Sequence, residues 1–211
     1  MRLWSYSEAE VRARLNALAQ APCSYAPEGI TREPRAVPGL CRDRATVGLG
    51  RGLECFERAS AALRRWAQFD LGWARICFPS TAPVVGARVA VHVSTFGLWT
   101  LNPARVLYVL EEPGLHYGYA YGTLPGHVEA GEELFLVRRD PSSERVEYAI
   151  LAYSRAAHPL VRLARPLARR AQRRFAFESC RAMQRAVDGE LEGEPELWRD
   201  EQEHRSLLAE A

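Results

Sequence analysis

The chain has 211 residues, of which 47% are hydrophobic and 26% are charged, and its formal net charge at pH 7 is +2. This composition is ordinary for a soluble globular protein with a full core, and the length suits one domain. No run approaches the roughly 18 apolar residues that a membrane span needs. The N-terminus has no apolar secretory core, and the five cysteines form no C-x-x-C pair. We therefore expect a cytoplasmic protein with reduced thiols.

The first predicted element is a short helix over residues 7–20. Ser7 and Glu10 have the spacing of a capping box, and apolar residues follow at helical intervals. Residues 21–43 hold four prolines with little periodicity, which predicts an extended covering segment. The expected organisation is an N-terminal helix and Pro-rich covering segment (1–43), a main domain (44–187) and an acidic tail (188–211).

From Asp43 onward the pattern predicts a strand, a helix, a meander of strands and a long helix. Residues 45–49 form the first strand, and residues 53–66 are apolar on one helical face. The further predicted strands are 73–78, 87–95, 104–111, 115–124, 133–139 and 145–153. Their short connections favour antiparallel pairing. Residues 159–187 are predicted to be helical, with Pro166 kinking or breaking the helix.

The predicted fold class is therefore α+β, with helices on one face of an antiparallel sheet. The order of elements resembles the START-like helix-grip fold, a curved antiparallel sheet of about six to seven strands wrapping a long C-terminal helix. The N-terminal helix would then be an extension at the front.

The strand over residues 116–123 has two contrasting faces. The first face carries Tyr117, Tyr119, Tyr121 and Thr123, and the other carries His116, Gly118, Ala120 and Gly122. Glycine inside a strand often marks close approach by another backbone or a ligand, so a small-residue face turned inward would leave room for the C-terminal helix or a bound molecule. Inward tyrosines would instead line a cavity with phenols that need partners. We take the glycine-lined wall as the one that helps create an interior gap, although the pattern leaves both orientations open.

One turn-rich connection carries a histidine and three glutamates. The candidate catalytic residues are His127, Glu129, Glu132 and Glu133. The histidine could act as acid or base near neutral pH, with a glutamate to orient it. Since Glu132 and Glu133 are adjacent in a strand, at most one of them faces the site. The alternative is a structural turn in which the carboxylates cap backbone amides while Thr123 and His127 pin the chain. The spacing is not typical of a metal site, and we predict neither metal nor cofactor.

A second set of residues is predicted to line the cavity. The candidate ligand-binding residues are Tyr117, Tyr119, Tyr121, Thr123, His92, Trp99, Ser154 and Arg155. Three functions remain open: a binding module for a small apolar or amphipathic molecule, an enzyme using His127, and an interaction module using the arginine-rich C-terminal helix. A homodimer is compatible with the last. Nucleic acid is not expected, because the net charge is small and the acidic tail can screen the arginines.

The pattern Gly48-x-Gly-x-Gly52 lies between a predicted strand and a predicted helix, where a phosphate-binding loop could stand. Leu53 occupies the place at which a third glycine would begin the G-x-G-x-x-G pattern, and antiparallel strands follow. We therefore interpret the glycines as a tight turn.

Several motifs resemble the uncharacterised family DUF1990, also called UPF0548, of bacteria and plants. The residues that carry the resemblance are Gly48-Leu-Gly50, Phe56-Glu-Arg-Ala59, Asn102 through Val109, Tyr121-Gly-Thr-Leu-Pro-Gly-His127, Gly131-Glu-Glu133 with Phe135, Tyr153-Ser-Arg155, Arg165-Pro166 and Gln172-Arg-Arg174. They cover roughly residues 40–180. Val128 departs from the proline expected in the central motif. The family has no accepted catalytic residues, so the resemblance implies a START-like fold but no specific chemistry.

Overall fold

The computed structural model describes residues 2–33, 36–95, 97–158, 165–187 and 193–199. The helices are α1 (Glu8–Ala17), α2 (Gly52–Arg64) and α3 (Arg165–Ala186). The strands are β1 (Cys41–Arg51), β2 (Ala74–Ile76), β3 (Arg88–Thr95), β4 (Leu98–Glu112), β5 (His116–Thr123), β6 (Glu129–Arg139), β7 (Arg145–Ala156) and β8 (Glu196–Arg199). A 3₁₀ turn, Ala67–Phe69, follows α2.

The strands form one curled antiparallel sheet in the order β2-β3-β4-β5-β6-β7-β1-β8. Six consecutive strands form the expected meander, and β1 closes against β7. The predicted count of six to seven strands is slightly wrong, because the described sheet has eight. The additional strand, β8, lies within the segment expected to be an acidic tail, and it pairs with residues 43–46 of β1. That part of the tail therefore belongs to the sheet.

The concave face of the sheet holds the main core and the helices α2 and α3. Apolar side chains from alternate positions of β5, β6 and β7 meet Leu63 of α2 and Met183 of α3, both fully buried. The tyrosine face of β5 points to this side, so Tyr119 packs edge-on against Trp66 at 4.8 Å between ring centroids. The helix-grip arrangement is confirmed.

The convex face is also covered, which makes the assignment of the glycine stripe wrong. A Cβ on Gly122 would lie 2.7 Å from the Tyr25 hydroxyl, so the small residues admit the N-terminal covering segment rather than α3 or a cavity. Helix α1 packs on the same outer side of the sheet, with Val11 and Leu15 against Ala90. The expectation that all helices lie on one face is therefore corrected as well.

Glu132 anchors the covering segment to the sheet. Its carboxylate accepts hydrogen bonds from the Tyr25 hydroxyl at 2.5 Å, the Gly29 amide at 2.8 Å, and the Thr31 amide and hydroxyl at 3.0 and 2.5 Å. A buried carboxylate is tolerated when donors surround it in this way. The Thr31 hydroxyl also contacts that of Tyr108. Residues 25–31 are thereby tied to the N-terminal part of β6.

Two local predictions about helix starts are confirmed. Ser7 caps α1, and the reciprocal bonds between Ser7 and Glu10 complete the capping box. At the end of β1, Gly50 and Gly52 have φ values of +128° and +83°, which glycine adopts without strain. The glycines thus make a tight strand-to-helix turn.

Three arginines of α3 form ion pairs, while Arg170, Arg173 and Arg185 are exposed. Arg169 contacts Asp43 of β1 at 2.7 Å, Arg174 contacts Glu178 at 2.7 Å, and Arg181 contacts Glu194 at 3.2 Å. Only the last of these comes from the tail, so the expected screening is partial. Pro166 is the second residue of α3, and residues 159–164 of the predicted helix lie outside the described residues. No helix in the described ranges has both the length and the apolar character to cross a membrane.

Candidate functional site

A cavity of about 460 Å³ lies between the concave face of the sheet and the N-terminal half of α3. Most of its wall is apolar. The aromatic and aliphatic residues that line it include Phe69, Trp73, Val91, Val93, Leu98, Ile150, Ala171 and Phe175. Polar side chains gather where β5, β6, β7 and the loop before β6 meet α3: Tyr121, Thr123, His127, Glu129, Glu133, Ser154 and Gln172. An apolar wall with a few convergent polar groups is the usual design of a small-molecule site.

Glu133 is held by the last tyrosine of β5. Tyr121 and Glu133 are paired across β5 and β6, and the tyrosine hydroxyl donates to Oε2 of the glutamate at 2.7 Å. Burial, with a smaller contribution from the nearby carboxylates of Glu129 and Asp43, raises the pKa of Glu133 to about 8 against the opposing hydrogen bond from Tyr121. Glu133 is therefore mostly uncharged at neutral pH.

Glu129 connects the sheet to α3. Gln172 of α3 donates to Oε1 of Glu129 and also to the Ser154 hydroxyl, the latter at 3.2 Å. Gln172 in turn accepts from Arg169, which contacts Asp43. Burial raises the pKa of Glu129 to about 7, although the bonds from Gln172 and Ser154 oppose the shift. This carboxyl group can therefore gain or lose a proton near neutral pH.

His127 lines the cavity, but its hydrogen bonding differs from the expected arrangement. Its Nδ1 atom accepts from the backbone N–H of Glu129 at 3.0 Å, rather than pairing with a glutamate carboxylate. Burial lowers the pKa of His127 to about 4, so the imidazole is neutral at physiological pH. A base with so low a pKa is weak, and the postulated glutamate orienter is not found.

The structural alternative for the loop is supported by these bonds. Thr123 Oγ1 accepts from the Gly131 amide at 3.0 Å, while the His127 imidazole accepts from Glu129. Both side chains therefore fasten the loop between β5 and β6, as the pinned-turn interpretation requires. The same side chains line the cavity, so fastening the loop and facing a ligand are compatible roles.

Of the twelve predicted site residues, six belong to the polar cluster that lines this cavity: Tyr121, Thr123, His127, Glu129, Glu133 and Ser154. Glu132 is adjacent to the cavity wall, but its carboxylate bonds to the covering segment on the outer side, which agrees with the expectation that only one of the two adjacent glutamates faces the site. The remaining five do not contribute to the cluster.

Two of those five are core tyrosines. Tyr119 is fully buried, and its hydroxyl contacts the Gln68 amide at 2.5 Å and the Leu63 carbonyl at 3.4 Å. Tyr117 is buried under the guanidinium of Arg64, 3.7 Å from the ring centroid. Both face the concave side as Tyr121 does, but they lie nearer the start of β5, where α2 fills the space.

The other three lie outside the cavity. His92 and Trp99 are in contact on the convex side with tilted rings, 4.6 Å between centroids, and His92 Nε2 accepts from the Tyr6 amide at 3.3 Å. Alternation along β3 puts Val91 and Val93 inward and His92 outward, away from this cavity. Arg155 is exposed on β7, opposite in direction to Ser154.

Sequence reasoning missed Gln172 and Asp43, which complete the polar cluster. Gln172 follows Ala171, a residue on the predicted buried face of the last helix, and it is uncharged within an arginine-rich run. That was the available signal. Asp43 gave none, since its role depends on a contact with Arg169 that is 126 positions away. Within the described ranges no group of three His, Cys, Asp or Glu side chains is placed to hold a metal.

Comparison with known proteins agrees with the sequence resemblance. The family model described as "Domain of unknown function (DUF1990)" matches residues 24–182. A UPF0548 protein of Deinococcus radiodurans is 40% identical over 178 residues, covering 80% of this chain and 88% of the relative. Another from Dictyostelium discoideum is 38% identical over 155 residues, covering 69% and 72%. The match begins inside the covering segment, earlier than residue 40.

A solved structure supports the fold. A hypothetical protein from Helicobacter pylori superimposes with a TM-score of 0.50 at 13% identity, covering 80% of this chain and 96% of that protein. At this identity the similarity concerns the fold and carries no information about chemistry. The family model and the two relatives decide the classification: this chain belongs to the DUF1990 (UPF0548) family.

Proposed function

We propose that this protein is a binding module that holds one small, largely apolar molecule between the sheet and α3. The observation that carries the proposal is the cavity of about 460 Å³ with an apolar wall and a polar cluster at one end. Sites for small ligands have volumes of roughly 300–1,000 Å³ and this division between apolar and polar lining. The ligand would place its apolar body near Phe69 and Phe175 and its polar group near Glu133.

The binding function is tested by filling the cavity. Ala171 lines the cavity from α3, so Ala171→Trp inserts a large ring into the space. The matched control is Ala61→Trp, because Ala61 is exposed on α2. We expect the wild type to bind one equivalent of the apolar probe N-phenyl-1-naphthylamine, the Ala61 variant to bind equally well, and the Ala171 variant to bind at least tenfold more weakly.

The design includes a check on folding and an independent readout. Thermal melting shows whether the Ala171 variant keeps its structure, and native mass spectrometry of the purified wild type shows whether a molecule accompanies it. A folded Ala171 variant that binds the probe as tightly as the wild type would contradict the proposal. So would a wild type that binds no probe and carries no additional mass.

A second candidate function is acid–base catalysis in the same cavity. It is favoured by Glu129 and Glu133, whose pKa values are raised to about 7 and about 8, close to the range in which a proton donor or acceptor is effective. Glu129 is the better candidate base, and His127 is unsuited because burial lowers its pKa. Such catalysis would exchange hydrogen next to a carbonyl group in D₂O, which mass spectrometry of a ketone panel detects. Glu129→Gln should abolish the exchange, and no exchange by the wild type would exclude this function for those ketones.

A further inference from the structure

The tautomer of His127 is fixed by its contact with the backbone. Because Nδ1 accepts the Glu129 N–H at 3.0 Å, Nδ1 carries a lone pair and not a hydrogen. A neutral imidazole has one hydrogen, which must therefore be on Nε2. No hydrogen bond to Nε2 is found within the described part of the chain, and the side chain lines the cavity. His127 thus presents one N–H donor to the cavity.

The carboxyl group of Glu133 is the second hydrogen-bonding group at this end of the cavity. The Tyr121 hydroxyl occupies Oε2, and the described residues place no hydrogen bond on Oε1. Burial raises the pKa of Glu133 to about 8, so at neutral pH the carboxyl group keeps its hydrogen. A carboxylic acid kept neutral by an apolar site can donate a hydrogen bond. With Tyr121 donating to Oε2, Oε1 is the atom available to carry the O–H.

We propose that the polar end of the cavity recognises the carbonyl oxygen of an apolar ligand, with His127 Nε2–H and the Glu133 carboxyl group as its hydrogen-bond donors. This inference rests on the proposed binding function and names the chemical class of the ligand. A carbonyl oxygen has two lone pairs and no hydrogen, so it can accept from both groups and brings no donor of its own.

Other headgroups fit this pair less well. An ammonium group has hydrogens but no lone pair, so it cannot accept from the N–H of His127 or the O–H of Glu133. A carboxylate ligand would bring its negative charge beside Glu129, which is partly ionised near pH 7, while Arg169 is already paired with Asp43. A hydroxyl group could accept from the same donors, but its own hydrogen would need an acceptor, which neither the His127 N–H nor the Glu133 O–H supplies.

Three naphthalene probes of nearly equal shape test the proposal. The ketone is 2-acetylnaphthalene, the isosteric control without oxygen is 2-isopropenylnaphthalene, and the cationic control is 1-(2-naphthyl)ethylamine. Calorimetry at pH 6.5 measures their affinities for the wild-type protein. One or two added hydrogen bonds predict that the ketone binds about tenfold more tightly than the alkene. The amine is expected to bind more weakly than the ketone.

Changes at the two donors and a change of pH identify the contacts. Above about pH 8 Glu133 loses its hydrogen, so the wild type should lose most of its preference for the ketone at pH 9.5. Glu133→Gln keeps an N–H donor at every pH, and its preference should be the same at pH 6.5 and 9.5. His127→Phe should reduce the preference severalfold, whereas the matched change His116→Phe at the other end of β5 should leave it intact.

Other titratable groups near Glu133 could also change the ketone preference with pH, so their effects are tested separately. Glu129 on the same strand ionises near pH 7, while Asp43 on β1 stays paired with Arg169 of α3. The Tyr121 pKa is raised well above its ordinary value by burial, so Tyr121 remains a donor at pH 9.5. Glu129→Gln should therefore retain the loss of preference between pH 6.5 and 9.5.

The outcomes separate this inference from the proposed function. If the alkene or the amine binds as tightly as the ketone, the carbonyl inference is wrong and the binding function stands. A ketone preference that persists unchanged in the wild type at pH 9.5 also refutes the role of Glu133. If none of the three probes binds, both proposals fail.

Discussion

Replacing Glu132 with alanine tests how the covering segment is attached to the sheet. The substitution removes the acceptor of four hydrogen bonds, from Tyr25, from Gly29 and twice from Thr31. A buried donor left unpaired costs about 1–3 kcal/mol, which for four donors sets an upper bound of about 4–12 kcal/mol. The segment can lift off and expose its donors to water, so we expect a loss of roughly 3–5 kcal/mol in the free energy of unfolding.

Urea denaturation measures this loss, and hydrogen exchange shows where it arises. The amides of Gly29 and Thr31 donate directly to Glu132, so they should exchange much faster in the variant. Tyr25→Phe removes a single donor and should cost about 1 kcal/mol. Glu57→Ala, at an exposed position of α2, should change little. A loss below 1 kcal/mol for Glu132→Ala, with unchanged exchange at both amides, would refute the anchoring role.

Three further predictions concern packing, pH and charge. Gly131→Ala should destabilise the fold by roughly 3 kcal/mol in urea, since its Cβ would overlap the backbone carbonyl of Tyr153; a neutral effect would contradict the register of β6 on β7. The folded protein keeps the Glu129 and Glu133 protons that the unfolded chain releases near pH 4.5, so its stability should fall from pH 6.5 to 9. This window avoids the opposite contribution of His127, whose lowered pKa makes stability rise between about pH 4 and 6.5. Glu133→Gln should therefore be more stable than the wild type at pH 9, and equal stability there would refute the buried acid. Deleting residues 188–211 should not produce salt-sensitive retention on immobilised DNA, because Arg169 and Arg174 remain paired with Asp43 and Glu178 although Arg181 loses Glu194; retention that falls with salt would restore the nucleic-acid hypothesis.

The meander of strands could be predicted from the sequence because alternation and turn residues are local signals. The helix caps were equally accessible, as Ser7 with Glu10 shows. Strand β8 was missed because its four residues lie in an acidic segment and are held by pairing with β1. Such a strand depends on a partner about 150 positions away, and no local pattern indicates it.

The candidate site could be predicted only in part, for a reason that β5 makes plain. Alternation separates Tyr121 from Gly122, but it does not show which of the two faces is concave. Both faces of β5 are buried, one under the helices and one under the covering segment, so hydrophobicity does not distinguish them. The same ambiguity put His92 on the wrong side.

Because both faces of the sheet are covered, the sheet wall of the cavity can adjust little to a ligand. Tyr25 and Ile30 of the covering segment pack with Tyr108 of β4 and with residues of β5, β6 and β7 in a second buried cluster, so close packing resists outward movement of these strands. Accommodation of a bulkier guest must therefore come from the opposite wall, where α3 carries the half-exposed Leu167 and meets the sheet through the side chains of Gln172 and Arg169. The range of ligand shapes would then depend on how far α3 can tilt before the hydrogen bonds that Gln172 and Arg169 make to the sheet break.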